Sequence, residues 1–174
     1  MNSVSHPSGG FPYEIRRAQP NDITFLTSML LEAVNWDPAR PQLSRRDVMR
    51  DRHTFAYVKG WGRPDDFGVI ACDRAGEPVG AAWARTFPED QPGYGFVSVG
   101  VPELSIGVVT RCRGKGLGRA LLNELVRLAQ HADHLAISLS VERSNSAHRL
   151  YLREGFVTVV SGKDADTMVK VLIE

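Results

Sequence analysis

The chain has 174 residues, 43% of them hydrophobic, which fits one ordinary domain with a continuous core and is neither low-complexity nor disordered in composition. A formal net charge of +1 gives no global argument for nucleic acid or an anionic membrane, so any anion site must be local. Cys72 and Cys112 are too few for a disulfide scaffold and stand in no metal-ligand spacing, and no stretch approaches the ~18 consecutive apolar residues of a membrane span. No metal is expected, and a reducing cytoplasm is the simplest home.

The start, MNSVSHPSGG, is polar and lacks an apolar signal core, so residues 1–12 read as a tail and 13–174 as one domain. Tyr13 to Arg17 alternates as a short strand. QPNDITFLTSMLLEAV follows, with Pro20 suited to a first helical turn and Ile23, Leu26, Leu30, Ala33 and Val34 on one face. Two prolines in NWDPARPQL end that helix. Ser44 and Asp47 then form a capping box for a second helix, expected to run to about Val58.

The period changes in the middle of the chain. FGVIACD, PVGAAWARTF and ELSIGVV are short, rich in β formers and separated by turn signals, which implies an antiparallel meander. The first two are joined by a hairpin-length loop. The second and third are separated by PEDQPGYGFVSVGVP, long enough to be a functional loop. Next comes RCRGKGLGRALL and a helix with Leu117, Leu121, Leu125, Leu128 and Ala129 on one face, then the strand HLAISLSV. A strand, a helix and another strand imply a right-handed crossover, with ELSIGVV and LAISLSV parallel and adjacent or nearly so. The helix SAHRLYLREG and the strands FVTVVSG and TMVKVLI close an α+β or mixed α/β domain.

The glycine turn between the crossover strand and its helix carries the clearest chemistry. A strand that ends in such a turn and enters a helix exposes backbone N–H groups with no intrahelical partner, at the positive end of the helix dipole. Gly114, Gly116 and Gly118 allow close approach, Leu117 begins the helix between them, and Arg111, Arg113, Lys115 and Arg119 add charge around the rim. The spacing is G-x-G-x-G, which is neither the dinucleotide fingerprint nor the P-loop. A solvated, glycine-rich helix entry with no ligand is the bland alternative.

ELSIGVVTRCRGKGLGRALLNEL resembles motif A of the GNAT family of N-acetyltransferases, whose Q/R-x-x-G-x-G/A pattern falls on Arg113, Gly116 and Gly118. LSVERSNSAHRLYLREGF resembles the family's next motif, with Asn145, Ala147, Leu150, Tyr151, Gly155 and Phe156 in place, and YEIRRAQPNDITFL resembles its first strand and helix. Thr110 and Cys112 stand where proline and an aromatic residue are common, and Gln19 replaces the usual Thr or Ser cap; none of these removes a donor from the turn. The resemblance implies a mixed sheet of about six to seven strands flanked by about four helices, the acyl-CoA N-acyltransferase fold. It also implies that the turn holds the pyrophosphate of acetyl-coenzyme A.

The same resemblance supplies candidate roles. Glu103 is the first choice for a general base, against the alternative of a solvated or salt-bridged strand-start carboxylate. Backbone groups of Ile106, Gly107 and Val108 match the positions that meet the pantetheine arm and polarise the thioester carbonyl. Tyr151 is the candidate acid for the departing thiolate, against the alternative of a core aromatic, and Asn145 either caps its helix or reaches the pantetheine amides. His148 reads as a surface histidine, and Trp61 and Trp83 as structural. Trp36, Asp37, Tyr94 and Phe96, in the two long loops, would suit a cationic amine, with loop packing as the alternative. The implied activity is direct transfer of an acetyl group to a primary amine on a small molecule or peptide, with neither nucleic acid nor membrane as partner, by a monomer or homodimer. A non-catalytic coenzyme-A-binding sensor on the same fold is the rival.

Overall fold

The computed structural model describes residues 11–173, so most of the expected tail lies outside the described residues. In chain order the elements are β1 (Glu14–Arg17), a 3₁₀ turn (Pro20–Asp22), α1 (Ile23–Val34), α2 (Arg45–Arg50), α3 (Arg52–Phe55), β2 (Phe67–Cys72), β3 (Pro78–Arg85), β4 (Glu103–Val108), a second 3₁₀ turn (Thr110–Cys112), α4 (Leu117–His131), β5 (Ala136–Glu142), α5 (Ala147–Arg153), β6 (Val157–Ser161) and β7 (Ala165–Val171). The strands form one seven-stranded sheet in the order β1-β2-β3-β4-β5-β7-β6. β2, β3 and β4 are the antiparallel meander, and β4 and β5 are the parallel neighbours joined through α4.

Strand alternation divides the interior into two layers. Val69, Ala82, Ala84, Leu104, Ile137, Leu139 and Val141 face α4 and α5, where Leu117, Leu121, Leu122 and Leu125 fill the space. Ile70, Ala81 and Trp83 face the other way, against Leu26, Met29 and Leu30 of α1 and the segment after α3. α1 lies unusually close to β4: a Cβ at Gly107 would come within 2.2 Å of the Met29 carbonyl oxygen, so only glycine lets helix and strand meet.

The single second helix expected from Ser44 to about Val58 is instead two short ones. The capping box forms as read, with Ser44 Oγ accepting from the Asp47 N–H. Asp51 then leaves the helical region, at ψ 103°, and its carboxylate accepts from the His53 N–H (3.1 Å) and the Thr54 hydroxyl (2.7 Å). An aspartate that caps a new helix ends the old one, a local competition that apolar periodicity does not register.

The long connection after α3 is held by a buried ion pair that no sequence pattern announces. Arg85 and Asp66 side chains are each 1% exposed and meet at 2.6 Å and 3.1 Å; Arg85 also donates to the carbonyls of Ala56 and Lys59, both at 2.8 Å. Each guanidinium nitrogen thereby has at least one acceptor. Removing one partner strands the other charge, so Asp66→Ala should destabilise the fold by about 3–5 kcal/mol in urea titration. A loss under 1 kcal/mol would mean that solvent reaches the guanidinium.

Candidate functional site

β4 and β5 share only one register pair, Glu103 with Ser138, supported by the Ser138 N–H to the Pro102 carbonyl at 3.0 Å. Beyond that rung they part. β4 stays with β3 through six pairs and β5 with β7 through seven, so each strand follows its own partner and the sheet opens between them. The Val109 N–H bonds Val79 O, so by alternation the backbone groups of Ile106 and Val108 point into the opening. A strand edge of this kind inside a sheet can pair with an extended amide-bearing ligand.

The mouth of the opening leads to the glycine turn. Gly114 and Gly116 have φ of 72° and 81°, the left-handed region that glycine adopts without strain, and Gly116 is the N-cap of α4. The first intrahelical bond runs from Ala120 to Gly116, at 3.1 Å. Among the described residues no acceptor meets the amides from Gly114 through Leu117 and Gly118 to Arg119, which leaves a run of free donors at the positive end of a fifteen-residue helix. That is a cradle for a di-anion such as pyrophosphate.

The cationic side chains around the cradle have other occupations. Arg113 donates to Glu32 of α1 (2.8 Å) and to the Val108 carbonyl (2.9 Å), tying helix, strand end and turn together. Arg119 pairs with Glu154 at 2.6 Å, Arg111 lies 3.7 Å from Asp73, and Lys115 donates to the Arg111 carbonyl at 3.0 Å. The backbone amides are therefore the donors left free at this turn, and the side chains brace it.

The two candidate reacting residues lie on opposite faces of the sheet. Tyr151, on α5, belongs to the α4-side layer, where it is 8% exposed and packs edge-on against Phe156 at 5.7 Å. Burial pushes its phenol up to about 12, and no described residue hydrogen-bonds its hydroxyl. Asn145 accepts the Ala147 N–H at 2.9 Å and so orients the start of α5. His148, expected at the surface, is instead half-buried against Asp166 at 3.0 Å. Asp166 gathers Ser161 and Arg143 as well, and these donors hold its carboxyl well below the usual range.

Glu103 faces the α1 side, with Ser105 and Gly107, as unbroken alternation requires. It is no solvated strand end: it is 2% exposed. Its Oε1 accepts the Tyr57 hydroxyl and the Gly95 N–H (2.8 Å), and its Oε2 has no protein partner. Burial raises the carboxyl to about 7, with Tyr57 and Gly95 opposing the rise. The only other buried side-chain oxygen without a partner among the described residues is Ser138 Oγ, on the paired residue across the rung.

The two long loops do converge on this face, though not all their expected residues line it. An open groove of about 840 Å³ runs from Tyr94 and Arg40 along Ser140 and Glu142 to the β6–β7 turn. Arg40 binds Glu142 through two hydrogen bonds (2.9 and 2.7 Å) while stacking over Trp36, and Asp37 holds its other side at 3.2 Å. Trp36 and Asp37 thus set Arg40 in place instead of forming the wall. Tyr94 stacks on His53 at 3.9 Å and does form wall, whereas Phe96 packs into the α1-side core. Trp61 and Trp83 are structural, their indoles donating to the carbonyls of Gln19 and Tyr57. Tyr57, Ser140, Glu142 and Arg40 carried no sequence signal, because each acquires its place only through contacts distant in the chain.

Residues 30–156 match the model of the acetyltransferase (GNAT) family. The chain belongs to that family. A mycothiol acetyltransferase from Paenarthrobacter aurescens (strain TC1) is 28% identical over 126 residues, which is 72% of this chain but 36% of that protein, so the chain spans about a third of the relative's length. Among solved structures, the PaiA N-acetyltransferase of Thermoplasma acidophilum in complex with coenzyme A matches with a TM-score of 0.68 at 17% identity, covering 92% of this chain and 99% of that one. YncA of Salmonella typhimurium with acetyl-CoA matches with a TM-score of 0.67 at 22% identity, covering 93% and 95%. Both share the fold. No described helix is long and apolar enough to cross a membrane, and no described cluster of side chains could hold a metal.

Close packing over Glu103 gives a direct test of the site's geometry. A Cβ at Gly93 would come within 2.1 Å of Glu103 Oε2, and one at Gly95 within 2.4 Å of the Leu139 carbonyl carbon. Gly93→Ala should therefore lift the segment off the carboxylate, costing about 1–3 kcal/mol of stability and speeding amide exchange at Gly95. Unchanged exchange would show that the loop is not anchored at Glu103.

Proposed function

We propose that this protein transfers the acetyl group of acetyl-coenzyme A to a primary amine by direct attack within a ternary complex. The observation that carries the reading is the opening between β4 and β5, which begins at a buried carboxylate and leads to a run of free helix-start amides. The GNAT membership supports acyl transfer, and the free amides and unpaired strand edge fit the two hydrogen-bonding parts of coenzyme A.

Each component then has a task. The Gly114–Arg119 amides bind pyrophosphate. The inward backbone of Ile106 and the Val108 N–H receive the pantetheine amides, the Val108 carbonyl being held by Arg113, and an N–H there stabilises the thioester carbonyl oxygen as negative charge develops on it. With the thioester threaded through the opening, the acceptor approaches from the groove on the Glu103 face, and Tyr151 lies on the opposite side. An acceptor ammonium has a reference pKa of ~10.4, so it must lose a proton before its nitrogen can attack. Glu103, ionised above about pH 7, takes that proton on Oε2 once the Gly93–Gly95 segment that covers this oxygen lifts to admit the amine or a bridging water. The N–C bond forms, the attacking nitrogen, now cationic, releases its second proton to solvent, the C–S bond breaks, and sulfur leaves with the bonding pair.

Tyr151 remains a phenol throughout neutral pH. At about 12 it is a weaker acid than a thiol of reference pKa ~8.5, so it stabilises the departing sulfur by donating a hydrogen bond, and solvent completes protonation. Tyr151→Phe should accordingly lower kcat by about 10–100-fold and leave acetyl-coenzyme A affinity within about twofold, measured by single-turnover rates and calorimetry. Equal kcat would return the residue to packing alone.

The pH dependence follows from the Glu103 environment. The parent should show an acid limb near pH 7, well above the ordinary carboxylate range, and Glu103→Gln should abolish it. The variant should be slower above pH 7, its rate rising only as the free amine does. Superimposable profiles would remove Glu103 from the reaction. Release of free coenzyme A across a panel of polyamines, amino acids, aminoglycosides and peptide N-termini tests the activity itself; coenzyme A binding with no turnover on any amine would favour a sensor.

A further inference from the structure

Taking Glu103 as the base, we infer that Tyr57 is its positioning residue. Clamped between the carboxylate and the Tyr94 backbone, its hydroxyl fixes one carboxylate oxygen and leaves the other to receive the proton. The phenol donates to Glu103 Oε1 and accepts the Tyr94 N–H at 2.7 Å, so both of its hydrogen-bonding directions are used. Its ring cannot swing away: it is 5% exposed, with Phe87 at 5.0 Å and Tyr94 at 6.0 Å, and its own carbonyl accepts the Trp83 indole at 2.9 Å. Together with the Gly95 N–H, it places two donors on Oε1, a geometry that selects one rotamer of the glutamate and keeps Oε2 unpartnered.

The same bond sets how readily the base ionises. Burial opposes the charge on Glu103, and the Tyr57 hydroxyl and Gly95 N–H are the two groups that favour it. The other elements around it supply no competing charge. Arg85, its register partner on β3, is committed to Asp66 and two carbonyls. From β5 comes the neutral Ser138 and from α1 the apolar Leu26, Met29 and Leu30, while His53 stacks on Tyr94 with its Nε2 on the Pro92 carbonyl. Because the hydroxyl also holds the Tyr94 N–H, the firmness of the acceptor-side segment depends on the charge state of the base.

The test is the titration of the Glu103 carboxyl carbon, followed by NMR in the free protein with selectively labelled glutamate and assigned through Glu103→Gln. In the parent the midpoint should fall near 7. Tyr57→Phe, which removes only the hydroxyl, should raise it by about one unit, and the acid limb of the pH–rate profile should move with it. A fluorinated tyrosine at position 57, a stronger donor of the same shape, should lower both. The fluorinated form keeps the packing, so it decides the matter even if Tyr57→Phe does not fold. Identical midpoints, or shifts of the same sign in the two variants, would overturn the assignment. Failure of Glu103 as base would appear separately, as an unaltered pH–rate profile in Glu103→Gln, because the titration is read without acetyl-coenzyme A or acceptor.

Discussion

Everything proposed for this protein depends on two adjacent parallel strands being joined at one rung and then released. A sheet normally satisfies its backbone groups rung by rung, and an unpaired edge in the interior is costly unless something else pairs with it. Here β4 stays paired with β3 and β5 with β7 along their other edges while they part from each other. The opening separates two chemical environments. On one face lies a buried phenol in an apolar layer, and on the other a polar stripe of Glu103, Ser138, Ser140 and Glu142. A thioester in the gap would be exposed to a hydrogen-bond donor on one side and a proton acceptor on the other.

Holding an opening of this kind requires the irregular segments around it to be rigid, and charged side chains supply the ties. Arg113 joins α1 to the end of β4, Arg40 joins the α1–α2 loop to the end of β5, and Arg85 joins the connection after α3 to β3. Arginine suits each of these places because its planar fork spans two or more acceptors at once. Glu103 belongs to the same set, for it collects Tyr57 and Gly95 and so pins the loop that roofs the groove. These ties use one carboxylate oxygen, and the base role proposed for Glu103 falls to the other.

What could be read from the sequence was what depends on near neighbours along the chain. The meander, the crossover helix and the glycine turn follow from alternation, 3.6-residue periodicity and helix-start chemistry. The split of the second helix at Asp51 was local too, but a capping side chain competes with periodicity and only the structure shows which prevails. Tyr57, Arg40, Glu142 and the Arg85–Asp66 pair were illegible because their partners lie far away in the chain, as when Trp36 finds Glu142. The partners of Arg113 and His148, Glu32 and Asp166, were hidden for the same reason, since both lie elsewhere in the chain.

The burial of Glu103 sets function against stability in a definite pH window. Its folded pKa, about 7, lies above the ordinary glutamate value of 4.5, so between these limits the folded state keeps a proton that the unfolded state has released. Stability from this group therefore falls as pH rises through that window, reaching a full cost on the order of 3 kcal/mol above it. Below the window the fold is spared that cost, but the carboxyl is protonated and cannot act as a base. A neutral glutamine could fill the site without this penalty. A carboxylate that is expensive when charged, yet given donors on one oxygen alone, has a proton affinity suited to the neutral-pH reaction proposed above. That match is a reason for the residue that packing by itself does not provide.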